Sequence, residues 1–289
     1  MNWIFLELAS ELLSAGNVVL AKATLTHRVS DRRPYLLSVA IASLPFAGLG
    51  VFYLATAPLP YLLAALFAGI AHISSGFFYY RAMSVEKSSH LSLLFRLGPV
   101  FTLVLSAIFI HERLTTAQYA GFGISFIGGV FLVIGQNGGV LRINRSTRDA
   151  LMTSLMGAIL GVLTVYLLRH YTFWQTFLMI RVGAVLGTVL LLGGRGTWNT
   201  SRTLLSLPRR DSSILLAEQI IRLGVGFLHT WAVAQIASAS LVAVLSGLFP
   251  LYVWLIAVLT RQEPPRDTGI GRWLLALALF VIGALLMSR

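Results

Sequence analysis

The chain has no cysteine in its 289 residues. Disulfide staples, thiolate metal sites and cysteine nucleophiles are therefore excluded. Acidic charge is also scarce: ten Asp and Glu stand against 22 Lys and Arg, and all charged residues together make up 11% of the chain. A soluble domain is about one quarter charged, so a soluble fold is excluded too. Several catalytic signatures are missing: Gly-x-Ser-x-Gly, His-Glu-x-x-His, the phosphate-cradling Gly-x-x-x-x-Gly-Lys and Gly-x-Gly-x-x-Gly before a helix. Without a nucleotide-binding loop, primary active transport by this chain alone is not expected, and no cofactor or metal site is expected.

What the chain does have is apolar length. Hydrophobic residues make up 57% of it. About 20 mostly apolar residues are needed to cross a bilayer core as a helix. Runs of that kind lie near 3–24, 35–57, 60–83, 88–111, 115–135, 148–169, 173–193, 213–236, 238–260 and 270–287. Their continuous apolar character favours helices over barrel strands, which alternate. The predicted fold class is an all-α integral membrane protein with ten transmembrane helices. The first run holds Glu7 and Glu11 with no basic residue before them, so it reads as a first span and not as a cleaved signal peptide. Turn-forming punctuation separates the runs, at Asp31–Pro34, Ala57–Pro60, Gly138-Gly139, Leu207–Asp211 and Glu263–Pro265.

The formal net charge of +12 would suggest nucleic acid for a soluble protein. Here the basic residues lie mostly in connections, where they set topology. Arg28, Arg32 and Arg33 lie in the first connection, Arg142, Arg145 and Arg148 in the fifth, and Arg195, Arg202, Arg209 and Arg210 in the seventh. The distribution predicts odd connections in the cytoplasm and both termini outside, in a cell membrane (inner or plasma), with lipid as a partner and nucleic acid not.

One pattern occurs twice. Tyr80-Arg-Ala-Met-Ser-Val is followed by Ser89-His-Leu-Ser, Pro99 and Glu112. Thr230-Trp-Ala-Val-Ala-Gln is followed by Ser240-Leu-Val-Ala, Pro250 and Glu263. Both Pro-to-Glu distances are 13 residues by the numbering. Five spans per copy reverse the chain, so residues 1–140 and 141–289 are expected to form two inverted five-helix repeats about an axis in the membrane plane. Such duplications build a substrate path between their halves.

The segments Ala82–Gly129 and Ala234–Gly283 resemble the EamA-like repeat of the drug/metabolite transporter superfamily. The resemblance rests on Ala-x-x-x-x-x-Ser before a Leu-rich helix with a central Pro, then His111-Glu112-Arg113-Leu114, Gln118-x-x-Gly121 and Gly128-Gly129. The second copy departs from it at Arg261-Gln-Glu263-Pro264, and Arg272 stands where Gly121 would align. The resemblance implies a ten-helix carrier of small metabolites, often an exporter, with its site in a central cavity.

Arginine at mid-span is the unusual content. An ionised residue at a helix centre costs about 2.5–3.5 kcal/mol on insertion scales. Arg96, Arg181 and Arg222 should therefore point into the bundle. There they suit a carboxylate or phosphate, which guanidinium grips with two donors. The alternative is that each caps a carbonyl or pairs with a carboxylate, and Glu218 lies one turn before Arg222. His72 and Tyr79 share a face of span three, and Ser92, Arg96 and Pro99 a side of span four. These complete the expected substrate site. Glu11, Glu218 and His229 are candidates for proton coupling. Glu7 is read either as a proton carrier or as solvated at the interface. Pro99 and Pro250 interrupt helices and are hinge candidates. Gly157 with Gly161, and Gly183 with Gly187, are spaced for close helix contact.

The expected function is a secondary carrier or exporter of a small organic anion or phosphorylated metabolite. Alternatives are a flippase for an anionic lipid-linked sugar, an exporter of amino acids or amphiphilic drugs, and an integral-membrane transferase built on His72, Ser74 and Ser75. A homodimer is left open.

Overall fold

The computed structural model describes residues 2–27, 33–83, 97–134, 145–246, 249–259 and 270–287. Among them every regular element is a helix. In chain order these are α1 (Asn2–His27), α2 (Arg33–Ala55), α3 (Leu59–Met83), α4 (Leu97–Phe109), α5 (Thr116–Ile134) and α6 (Arg145–Leu168). They are followed by α7 (Phe173–Leu192), α8 (Gly194–Ser206), α9 (Arg209–Ile236), α10 (Ala239–Leu245), α11 (Phe249–Leu259) and α12 (Ile270–Met287). By length and composition α2, α3, α6 and α7 can each cross a membrane.

The predicted apolar runs fall on these helices, with two differences. The run over 238–260 is two helices, because α10 ends at Leu245 and α11 starts at Phe249. The connection after α7 holds a helix of its own, α8, which hydropathy cannot show because its apolar residues are too few and too spread out. Pro99 is buried in the first turn of the described part of α4, and Pro250 is the second residue of α11.

Local sequence sets the helix ends. Thr172 caps α7: its hydroxyl accepts from Gln175 N, and Gln175 Oε1 accepts from Thr172 N at 2.9 Å. Gly193, at φ 69°, ends that helix in a conformation few side-chain-bearing residues adopt. Ser238 caps α10, its hydroxyl accepting from Leu241 N at 3.1 Å. Glu112 takes hydrogen bonds from both Ser238 and Ser240, tying the end of the α4 segment to this cap.

Packing places α3 on α6 and α7, and α9 on α1 and α2. It places α4 on α6, α11 on α1, α2 on α7, and α5 on α12. Glycine permits the closest of these crossings. A Cβ on Gly183 would come within 2.6 Å of Leu66 O, and one on Gly187 within 3.0 Å of Ile70 Cα, so this pair seats α7 on α3. Gly121 and Gly283 do the same for α5 and α12. Gly157 and Gly161 make no such close crossing: a Cβ on Gly157 meets nothing within 4 Å, one on Gly161 reaches only Thr102 Cγ2 at 4.0 Å, and both residues line a cavity. Large apolar side chains such as Phe5, Phe52 and Phe109 stand on the outer surface.

Candidate functional site

α1, α3, α6, α7 and α9 surround a cavity of about 260 Å³. Its polar lining includes Asn17, His72, Arg181, Arg222 and His229. A neighbouring cavity of about 360 Å³ shares Ser14, Ser75, Tyr79, Thr153 and His229 with it, and is lined further by Glu7, Glu11 and Pro99. The two are lobes of one chamber, the first basic and the second acidic.

Arg181 is the ninth residue of α7 and is buried. Among the described residues no carboxylate pairs with it. Its guanidinium lies 4.5 Å from the Phe177 ring centroid, and Nη1 stands 3.5 Å from His72 Nε2. Its Nε has no hydrogen-bond partner. Space for the group comes from α9, where a Cβ on Gly226 would sit 2.7 Å from Nη2. Arg222 is placed in a similar way, beside Gly76 of α3, with its guanidinium 5.0 Å from the Tyr80 ring centroid. Its Nε also lacks a partner.

The predicted pairing of Glu218 with Arg222 is replaced by another. Glu218 is fully buried and accepts a hydrogen bond from Tyr80 Oη at 2.7 Å, while its Oε2 is unpartnered. Among the described residues no ion pair joins it to Arg222. Helical spacing brought the two onto one face, but Tyr80 of α3 reaches the carboxylate from across the interface. Glu218 lines neither lobe.

Glu7 is the second difference. It is not solvated at an interface; it is fully buried, with both carboxylate oxygens 3.0 Å from His229 Nδ1. Position along a helix says how deep a side chain lies and nothing about which neighbour it faces. Glu11, one turn on, lines the acidic lobe. His72 and Tyr79 line the chamber, and Pro99 lines its acidic lobe. Arg96 and Ser92 lie outside the described residues, as does the side chain of Pro250. Among the described residues no group of three His, Cys, Asp or Glu could hold a metal ion.

Residues the sequence did not single out are Asn17, whose buried Oδ1 is unpartnered beside the basic lobe, Phe177, and Thr153. Phe177 belongs to an aromatic group with Phe173, Phe227 and Trp231 that joins α7 and α9. Spacing could have found Phe177, one turn before Arg181; an isolated Asn or Thr in an apolar run carries no comparable signal.

Residues 1–134 match the EamA-like transporter family. Several helices of this chain are long and apolar enough to cross a membrane, as in a multi-pass membrane protein. A probable terminal-alkyne amino-acid exporter from Streptantibioticus cattleyicolor (strain ATCC 35852 / DSM 46488 / JCM 4925 / NBRC 14057 / NRRL 8057) is 27% identical to it over 199 residues. That stretch is 68% of this chain and 63% of the exporter, so the chain spans less than two thirds of that relative. A protein of known crystal structure, 21% identical, matches 99% of this chain and 96% of its own with a TM-score of 0.68. The fold is therefore shared along almost the whole chain.

Proposed function

We propose that this protein is a secondary carrier that exports a small carboxylate-bearing metabolite through the chamber by alternating access. The observation that carries the proposal is the pair of mid-helix guanidinium groups, Arg181 and Arg222, facing one cavity with no carboxylate among the described residues bound to either. Burying guanidinium groups without a bound carboxylate is expensive, most of all at Arg181, and a substrate anion offsets that cost when it binds. Guanidinium holds a carboxylate through paired donors, while Phe177 and Tyr79 supply the surrounding apolar surface.

Two five-helix halves, 1–140 and 141–289, suit this mechanism. The packing supports an inverted repeat because its pairs exchange when the halves are swapped. The contact of α3 with α6 has its counterpart in α9 with α1, and that of α4 with α6 in α11 with α1. Rocking of one half against the other would expose the chamber alternately, with Pro99 and Pro250 near the hinges.

A second reading concerns charge on the substrate. The acidic lobe, with Glu11, adjoins the basic one, so a molecule with both carboxylate and ammonium groups matches the chamber end to end. The relative named as an amino-acid exporter agrees with that reading. His229 and Glu7, where the lobes meet, are the groups placed to carry a proton in exchange.

Reconstitution into proteoliposomes tests this. Small carboxylates or amino acids should move without chemical change, and Arg181→Gln and Arg222→Gln should each lower kcat/KM by about 100-fold, the loss of a charged hydrogen bond worth about 3 kcal/mol. Preferential transport of a cation lacking any carboxylate sinks the anion site, and covalent conversion of substrate sinks the carrier.

A further inference from the structure

The helix α8 carries three distinct faces. Its inner face holds buried Thr200 and, one turn on, Leu204, which packs with Leu207 on Tyr35, Tyr80 and Leu215. A second face presents Trp198 and Leu205, seven residues apart and 62% and 86% exposed. The third carries exposed Arg195 and Arg202, also seven apart, and Arg202 lies 5.1 Å from the Trp198 ring centroid. No acidic residue occurs within Gly194–Ser206. Arg209 and Arg210 follow directly and are exposed.

Position decides what meets these faces. α7 has 20 residues, which at about 1.5 Å per residue is the thickness of a bilayer core. The turn at Gly193 therefore stands at a membrane surface, and α8 begins at once beyond it. A helix with exposed Trp and Leu on one side and guanidinium groups on the next has the form of an element lying in the headgroup layer. A water-facing helix would gain nothing from Trp198 and Leu205, and a spanning one would not carry Arg195 and Arg202.

We infer that α8 is an interfacial helix that binds anionic phospholipid. Trp198 and Leu205 enter the acyl boundary, and Arg195 and Arg202, with Arg209 and Arg210 behind them, hold lipid phosphates. Because α8 also rests on α2 and on the end of α7, lipid bound there steadies the end of the helix that carries Arg181.

The full-length protein in phosphatidylcholine vesicles, doped with brominated phosphatidylglycerol or brominated phosphatidylcholine, tests this. The signal of Trp198 is taken as the difference between wild type and Trp198→Phe. Brominated phosphatidylglycerol should quench it more strongly at equal doping. Arg195→Gln and Arg202→Gln, both at exposed positions, should each cut the preference about fivefold, as expected for one basic side chain near an anionic surface. Equal quenching by the two lipids overturns the anionic site. No quenching by either overturns the interfacial placement, as does a cross-link from position 198 to a second copy of the chain.

Discussion

The guanidinium of Arg181 occupies the space that a side chain on Gly226 would need, with Nη2 only 2.7 Å from where a Cβ would stand. α7 and α9 are thus fitted to each other at a point where a buried charge turns toward the chamber. The obstructing atom is the far end of a flexible side chain, so an added methyl group can push it aside without breaking the fold.

Gly226→Ala should therefore fold normally and transport poorly. Its melting temperature should stay within a few degrees of wild type, while KM for a carboxylate substrate rises about 10- to 100-fold because the guanidinium is misplaced. An unchanged KM would show that Arg181 does not position substrate.

Gly183→Ala makes the contrast. Its Cβ would meet backbone, Leu66 O at 2.6 Å and Ala65 O at 2.8 Å, and backbone cannot swing away. Overpacking of this kind costs about 1–3 kcal/mol. Thermal unfolding in detergent should show the loss, with the α3–α7 crossing opened.

At Glu7, substitution separates proton transfer from stability. Glu7→Gln keeps a hydrogen bond to His229 and removes a titratable proton. It should abolish uptake driven by a pH gradient while leaving substrate exchange across the membrane intact. Glu7→Leu also strips His229 of its partner and should lose about 1–3 kcal/mol of stability. Undiminished pH-driven uptake in Glu7→Gln would rule the pair out as the coupling site.

The bidentate pair of Arg81 with Asp149, at 2.6 Å for both contacts, joins α3 to α6 unequally. The arginine side chain is 31% exposed and the aspartate 3%. Arg81→Ala strands a buried carboxylate and should cost about 3 kcal/mol or more, whereas Asp149→Ala leaves a guanidinium that can still reach water and should cost less. Equal losses in chemical denaturation would mean that exposure does not set the asymmetry.

Much of the architecture was legible before any coordinates. Hydropathy located the helices because burial in lipid is decided residue by residue over a length set by the bilayer. The interfacial helix α8 escaped it, since Trp198 and Leu205 are too sparse to raise a window average. The site was legible only in part. Arg181, Arg222, His72 and His229 are costly groups in apolar helices, Tyr79 shares a face with His72, and all five line one chamber. Gly157 and Gly161 had the spacing of a helix contact yet face that chamber, because spacing fixes a stripe on a helix without saying what lies opposite.

By itself the sequence determined the solvent of this protein, the lengths of its helices and the presence of charges that lipid cannot accept, since each depends on local composition. Only the tertiary structure decided which groups satisfy one another. Glu218 faces Tyr80 and not Arg222, and Glu7 meets His229 from 222 positions away in the chain. The rotation of each helix about its axis is settled jointly by all its neighbours, and no window of residues contains that information.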